Sequence, residues 1–140
     1  MSQDVFVARE AIRHTLAGYN IAGDANDAEG YAAVFAPDGV LESGDMRFAG
    51  RAQIRDWKAA RAKSPVAKFV RHNLTTCRIE LTGLQSATAR TYFVVFTEVG
   101  PDHSGYYDDV FQKIGAEWLI AHRKVLLDWR APDSRFSPRT

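Results

Sequence analysis

Cysteine is nearly missing from this sequence, since Cys77 is the single one among 140 residues. One thiol cannot build a disulfide framework or a thiolate metal cluster, and its place in a predicted strand favours core packing over nucleophilic chemistry. No apolar run reaches the length of a transmembrane helix. The start, Met1-Ser2-Gln3-Asp4, lacks the basic and then apolar pattern of a secretion signal. The expected location is therefore the cytoplasm.

Excess charge is missing too, because 18 Lys and Arg oppose 17 Asp and Glu to give a formal net charge of +1. This balance argues against nucleic acid or a membrane surface as a partner. The one denser basic stretch, residues 51–63, is interleaved with apolar residues at helical spacing and is interpreted as a solvated helix face. The four histidines show no metal-triad spacing, and phosphate-loop and dinucleotide motifs are missing, so neither metal nor cofactor is expected.

The order of predicted elements is helices first and strands afterwards. Apolar residues recur every three or four positions from Val5 to Tyr19, a short second helix follows Asn26 or Asp27, and a third covers 51–62. Residues 36–39 are predicted to form a turn and residues 40–49 a short hairpin. After Pro65 come four strands rich in β-branched and aromatic residues, at about 67–82, 86–99, 104–114 and 117–129.

This order predicts an α+β fold of one domain, residues 1–130, with about three helices packed across a strongly curved antiparallel sheet. A sheet curved into a cone, with helices over its mouth, encloses a natural ligand cavity. The last residues, 131–140, are rich in Pro, Ser and Arg and are predicted to be a loose tail.

Asp24 and His72 are the candidate functional residues. Alternation along the strand places His72 on an apolar face with Val70 and Leu74, where a histidine is either a satisfied interior residue or a catalyst. One of Asp24 and Asp27 caps the second helix. Asp27 is the better cap because acids follow it in the first turn, which leaves Asp24 as the candidate inward-pointing acid. A histidine oriented by a carboxylate is a general base suited to neutral pH.

The chain resembles the SnoaL-like family of the nuclear-transport-factor-2-like superfamily, whose fold is a cone-shaped α+β roll. The matching stretches, in order, are Tyr19-x4-Asp24-x2-Asp27-x3-Tyr31-x3-Phe35-Ala36-x-Asp38, Gly50-Arg51, Arg71-His72-x-Leu74-Thr75, Gly105-x-Tyr107-x-Asp109 and Glu117-Trp118-x-Ile120-x2-Arg123. They span nearly the whole chain. Five such stretches in the right order are more specific for the fold than for any chemistry, because one fold hosts many activities.

The resemblance implies a lyase that works without metal or organic cofactor. Asp24 and His72 fall where scytalone dehydratase and hexachlorocyclohexane dehydrochlorinase carry an Asp–His dyad. The chain departs from scytalone dehydratase in two respects: Gly23 stands where that enzyme has a tyrosine, and residues 92–96 contain no histidine. Scytalone is therefore not the expected substrate.

We expect an elimination or an isomerisation of a small hydrophobic molecule, cyclic or aromatic, with a tyrosine hydroxyl binding a substrate oxygen or the leaving group. Besides the dyad, the candidate pocket residues are Tyr19, Tyr31, Trp57, Tyr92, Phe96, Tyr107, Asp109, Phe111 and Arg123. Arg123 either holds an acid inside the protein or contacts substrate. His14, His103 and His122 are assigned no role.

The alternative is a non-catalytic module that binds a small molecule or mediates oligomerisation, with Asp24 and His72 as a structural pair. Under either hypothesis a homo-oligomer, a dimer or a trimer, is expected, because the outer face of such a sheet is seldom polar enough to stay bare. The candidates for that outer face are Arg90, Phe93, Val95 and Trp129.

Overall fold

Three helices and six strands make up the computed structural model, which describes residues 3–136. The helices are α1 (Gln3–Asp24), α2 (Ala28–Ala33) and α3 (Arg51–Ala62). The strands are β1 (Phe35–Ser43), β2 (Met46–Ala49), β3 (Arg71–Leu81), β4 (Ser86–Thr97), β5 (Gly100–Ile114) and β6 (Glu117–Arg130). The expected α+β class is confirmed: the helices pack on a curved sheet that does not close into a barrel.

Helix α1 buries the apolar stripe that the sequence predicts. Ala8, Ile12, Leu16 and Tyr19 are all at most 7% exposed, as expected for residues spaced by three or four positions on one face. The helix ends at Asp24, and α2 begins after the cap residue Asp27. The Asp27 carboxylate accepts a hydrogen bond from the Gly30 amide at 2.9 Å, which satisfies one of the free N–H groups of the first turn.

The sheet has the strand order β2-β1-β6-β5-β4-β3. All neighbours are antiparallel except β1 and β6, which are parallel. The expectation of a wholly antiparallel sheet is therefore wrong for this one pair. Residues 36–39, predicted to form a turn, instead belong to β1, which passes alongside β6. Gly39 permits this approach, because a Cβ at this position would lie 2.8 Å from the Ile120 carbonyl oxygen.

The segment after β6 is attached to the body of the protein. Ala131 is buried, and its amide donates to the Asp102 carbonyl oxygen at 2.8 Å. The prediction of a loose tail is thus wrong for residues 131–136, while the rest of that tail lies outside the described residues. Within residues 3–136 no helix is long and apolar enough to cross a membrane.

Candidate active site

Asp24 and His72 form a close pair at one end of the sheet. The His72 Nδ1 atom lies 2.7 Å from Asp24 Oδ1, and the His72 backbone N–H donates to Asp24 Oδ2 at 2.9 Å. The carboxylate thus contacts both the ring and the backbone of one residue. Since a carboxylate accepts, Nδ1 carries the proton and Nε2 holds the free lone pair when the ring is neutral.

The ends of two elements bring this pair together. Asp24 is the last residue of α1, and His72 is the second residue of β3. The alternation of β3 points His72 to the face that carries Leu74, and the register pairs it with Val95 of β4. The two side chains remain partly accessible, at 25% for His72 and 12% for Asp24. The site can therefore be reached from solvent.

Lys58 of α3 also lies at this site, although its stretch was interpreted as a solvated helix face. Its ammonium lies 5.5 Å from the centre of the Tyr31 ring. Burial lowers the pKa of Lys58, repulsion from Arg61 adds to this, and attraction to Asp24 opposes it. The positive charge of Lys58 is accordingly close enough to Asp24 for the two to attract each other.

A second histidine–aspartate pair lies on the same face of the sheet, and sequence analysis missed it. His103 Nδ1 lies 2.7 Å from Asp102 Oδ1, and the side chains are 12% and 0% exposed respectively. The register pairs His103 with Val95, the same residue that pairs with His72. The signal in the sequence was the phase of β5, because residues 103, 105 and 107 share one face of a regular strand.

Asp102 accepts hydrogen bonds from four residues of β4, β5 and the C-terminal segment, His103 included. Burial would raise the pKa of Asp102, but hydrogen bonds from Ser134, the Arg135 amide, His103 and Thr97 together lower it to about 2. The pKa of His103 is lowered by burial, with Asp102 opposing and His72 and Arg130 reinforcing the shift. At neutral pH, Asp102 is therefore a carboxylate beside a mostly neutral imidazole.

The tyrosines predicted to line the pocket form a buried polar layer deeper in the protein. The Tyr31 hydroxyl donates to the Tyr19 hydroxyl at 2.6 Å, and the Tyr107 hydroxyl donates to Asn20 Oδ1 at 3.2 Å. Burial raises the pKa of Tyr19, Tyr31 and Tyr107 alike. All three stay protonated, and the Tyr107 ring stacks on Phe93 at 4.8 Å between centroids.

Arg123 holds an acid inside the protein, which was one of its two predicted roles. Its guanidinium makes two hydrogen bonds to Asp109, of 2.8 and 2.7 Å, and both side chains are fully buried. The Tyr19 and Tyr107 rings flank the cation on two adjacent sides, at 4.2 and 3.9 Å from their centres. Burial disfavours the Arg123 cation, but the adjacent Asp109 carboxylate outweighs that and raises the pKa of Arg123. This bidentate pair is structural.

The remaining predicted pocket residues divide between the interior and the outer face. Phe111 is fully buried, and Trp57 stacks on Phe48 at 4.9 Å. Tyr92 and Phe96 are 48% and 38% exposed, on the face of β4 opposite to His72. The prediction that they line the pocket is wrong. Phe93 is buried and lies 6.4 Å from the His72 ring, so it takes their place.

Two surface grooves lie away from both histidine–aspartate pairs. One, of about 690 Å³, runs between α1 and the start of β6 and includes Phe6 and Trp118. The other, of about 600 Å³, lies over strands β3 to β6 and includes Glu42 and His122. Neither groove contains Asp24 or His72, so a ligand of the dyad would bind at the partly exposed end of the sheet.

Comparison with models of protein families shows which family the chain belongs to. A family model described as a SnoaL-like domain matches residues 5–124, and the chain belongs to this family. No curated protein matches the chain. The family membership expected from the sequence is thereby confirmed.

Solved structures share the fold over nearly the full length of the chain. A variant of Rv3472 from Mycobacterium tuberculosis, of unknown function, is 29% identical with a TM-score of 0.80, over 94% of this chain and 78% of that one. A scytalone dehydratase-like protein from Novosphingobium aromaticivorans is 17% identical with a TM-score of 0.85, over 99% and 94%. A hexachlorocyclohexane dehydrochlorinase, LinA type 2, is 16% identical with a TM-score of 0.79, over 96% of each chain.

Proposed function

We propose that the protein is a lyase or isomerase that uses His72 as a general base on a small hydrophobic molecule. The observation that carries this proposal is the 2.7 Å contact between His72 Nδ1 and Asp24 Oδ1. In the neutral ring this contact places the proton on Nδ1 and leaves the lone pair on Nε2, and no residue in the range 3–136 hydrogen-bonds to Nε2. A partly exposed imidazole with a free Nε2 can accept a proton from a bound molecule.

The proposed reaction starts at a carbon acid. His72 Nε2 removes a proton from a carbon next to an activating group such as a carbonyl. Asp24 then stabilises the imidazolium that forms, because its carboxylate stays bound to Nδ1–H. The electron pair left on carbon either expels a leaving group from the neighbouring carbon or rearranges a double bond. Two structures of the same fold carry the names of a dehydratase and a dehydrochlorinase, both eliminations. At 16–17% identity they support the fold alone.

The proton transfer can be tested without knowing the natural substrate. The α-protons of cyclohexanone exchange with D2O when a base removes them, and NMR follows the loss of the proton signal. The wild-type protein should accelerate this exchange. H72N should reduce the acceleration by about 10²–10⁴-fold, because the Asn amide can still donate to Asp24 but cannot take up a proton. Equal exchange by wild type and H72N would refute His72 as the base.

The second candidate function is non-catalytic binding, and one contact favours it. The His72 backbone N–H also donates to Asp24, at 2.9 Å, so Asp24 ties the end of α1 to the start of β3 whatever the ring does. Under this hypothesis the pair is structural. H72N would then leave any ligand affinity intact, and neither protein would accelerate the exchange of cyclohexanone protons.

A further inference from the structure

We propose that His103, oriented by Asp102, is a second acid–base residue of this site and donates the proton with which the leaving group departs. The inference rests on the proposed function, in which His72 removes a proton from carbon. It concerns the other half of an elimination, for which a base alone is insufficient when the leaving group is hydroxide.

The register places the two imidazoles on the same face. His72 of β3 and His103 of β5 are each paired with Val95 of β4. Adjacent strands lie ~4.8 Å apart, so the two histidine Cα atoms are separated by about 10 Å. The Phe93 ring is equidistant from both imidazoles, at 6.4 Å from His72 and 6.3 Å from His103. Phe93 itself is only 4% exposed, so a small molecule would reach the two imidazoles at their own accessible edges, which are 25% and 12% exposed.

The two histidines are oriented in the same way. Each Nδ1 lies 2.7 Å from an aspartate oxygen, of Asp24 in one case and Asp102 in the other. Within residues 3–136 no group hydrogen-bonds to either Nε2 atom. Among the described residues both Nε2 atoms thus lack a hydrogen-bond partner, while the carboxylates support either ring in its protonated form.

The charges around His103 make its protonation depend on that of His72. Repulsion from His72 lowers the pKa of His103, after the larger effect of burial, and Arg130 of β6 acts in the same direction. Other charged groups near this end of the sheet include Asp24 and Lys58 at the His72 side, and Glu98 paired with Arg135 beside Asp102. Since protonation of one imidazole disfavours protonation of the other, a singly protonated pair has one base and one acid. The form with the proton on His103 has His72 as the base and His103 as the acid; it is the minor form at neutral pH, because the pKa of His103 is lowered, and it becomes more populated as the pH falls.

That state completes an elimination of water. His72 Nε2 takes the proton from the carbon next to the carbonyl, and the C–H electron pair becomes the new C=C bond. The C–O bond to the leaving group breaks with its electron pair on oxygen. His103 Nε2–H gives its proton to that oxygen, which leaves as water. His72 ends protonated and His103 neutral, and exchange of one proton with solvent at each ring restores the starting state.

The leaving group tests the role of His103. Elimination from 3-hydroxycyclohexanone and from 3-chlorocyclohexanone gives the same cyclohexenone, which is followed by its ultraviolet absorbance. Chloride departs without a proton. H103N keeps a donor to Asp102. Its rate of elimination should be about 10²–10⁴-fold below that of the wild type with the hydroxy ketone, and far less reduced with the chloro ketone. H72N should be slower with both ketones. The control H14N, at an exposed helix position, should eliminate from both ketones at the wild-type rate.

The outcomes separate the two proposals. In one outcome, H72N is slow with both ketones while H103N is slowed equally with both or with neither. In that case the proposed function stands and the role of His103 is refuted. If the wild type eliminates neither chloride nor water and exchanges no α-proton, the proposed function fails for cyclic ketones. The inference is then decided by a measurement that needs no substrate.

That measurement is the titration of the imidazole nitrogens by NMR. Replacing His72 by Asn removes its charge, so the pKa of His103 should rise in H72N. H122N is the control, because His122 pairs with Glu42 at 2.6 Å on the outer face and should leave the titration of His103 unchanged. An unchanged His103 titration in H72N would show that the two rings do not share a site, and would overturn the inference.

Discussion

Asp24 accepts two hydrogen bonds from His72, one from the imidazole and one from the backbone N–H. A carboxylate that only tied α1 to β3 would need the second of these alone. The first fixes the orientation of the ring and stabilises its protonated form. The backbone contact and the ring contact are therefore distinct, and their effects on stability and on the proposed proton transfer can be separated by mutation.

Asp24→Asn should reduce proton exchange by about 10²–10⁴-fold, with a smaller effect on stability. The amide is the same size as the carboxylate, but it cannot stabilise an imidazolium with a negative charge. The measurement is the rate of α-proton exchange of cyclohexanone in D2O, beside a urea unfolding curve.

Asp27→Asn is the matched control, three residues along the chain. Asp27 accepts from the Gly30 amide as the cap of α2, and Asn caps a helix about as well as Asp. Stability and exchange rate should both stay near the wild-type values. If Asp24→Asn behaved like Asp27→Asn, the carboxylate would have no part in the proton transfer.

Acid should destabilise the protein through Asp102. Its pKa is lowered to about 2 from an ordinary 3.8, so the folded state binds fewer protons than the unfolded state between those values. The stabilisation is complete above about pH 4 and is lost as the pH falls to about 2. The difference between a pKa of 3.8 and one of about 2 corresponds to ~2–3 kcal/mol.

Urea unfolding from pH 5 to pH 2 measures this contribution. The free energy of unfolding should fall less steeply with acid in Asp102→Asn than in the wild type, because the variant has no carboxylate to protonate. Asp45→Asn, at an exposed turn position, should keep the wild-type slope. Identical slopes in all three proteins would contradict the role assigned to Asp102.

Replacing only one partner of the buried Arg123–Asp109 ion pair should destabilise the protein more than replacing both. Arg123→Met leaves Asp109 charged and unpaired in the interior, at a cost of about 3–5 kcal/mol. The double variant Arg123→Met/Asp109→Leu leaves no uncompensated charge and should recover much of that loss. Chemical denaturation of the single and double variants gives both values. A double variant as unstable as Arg123→Met alone would show that packing against the tyrosine rings, and not charge, dominates.

The sequence was sufficient to predict the fold class, the apolar stripe of α1 and the Asp27 cap, since each depends on local spacing or on one hydrogen bond. It could not predict that β1 runs parallel to β6, because that pairing joins residues about eighty positions apart. The contact between Asp24 and His72 spans 48 positions. It was anticipated through the family resemblance and not through any local pattern.

The main error at the site was the prediction of which face of β4 is buried. Residues 92–96 are apolar or aromatic without a polar residue between them, so their alternation does not show which side is buried. Tyr92 and Phe96 were therefore assigned to the pocket, and Phe93 and Val95 to the outer face. The reverse is true: Phe93 and Val95 are 4% and 0% exposed. Arg90 indicates the correct face, because residues 90, 92 and 96 lie on the same side of a regular strand and a charged residue belongs on the exposed side.

With Tyr92 and Phe96 on the outside, the outer face of the sheet is aromatic, and we expect a second copy of the chain to pack on it. Tyr92, Phe96 and Trp129 are 48%, 38% and 46% exposed, and Trp129 is paired in register with Ser104 of β5. Exposed aromatic groups on one face of a sheet favour association. Tyr92→Glu/Trp129→Glu should shift the protein toward monomer in sedimentation velocity. Leu84→Glu, at a turn residue that is 96% exposed, should leave the sedimentation coefficient unchanged. A wild type that sediments as a monomer, or an assembly that survives the double variant, would show that this face is not the interface.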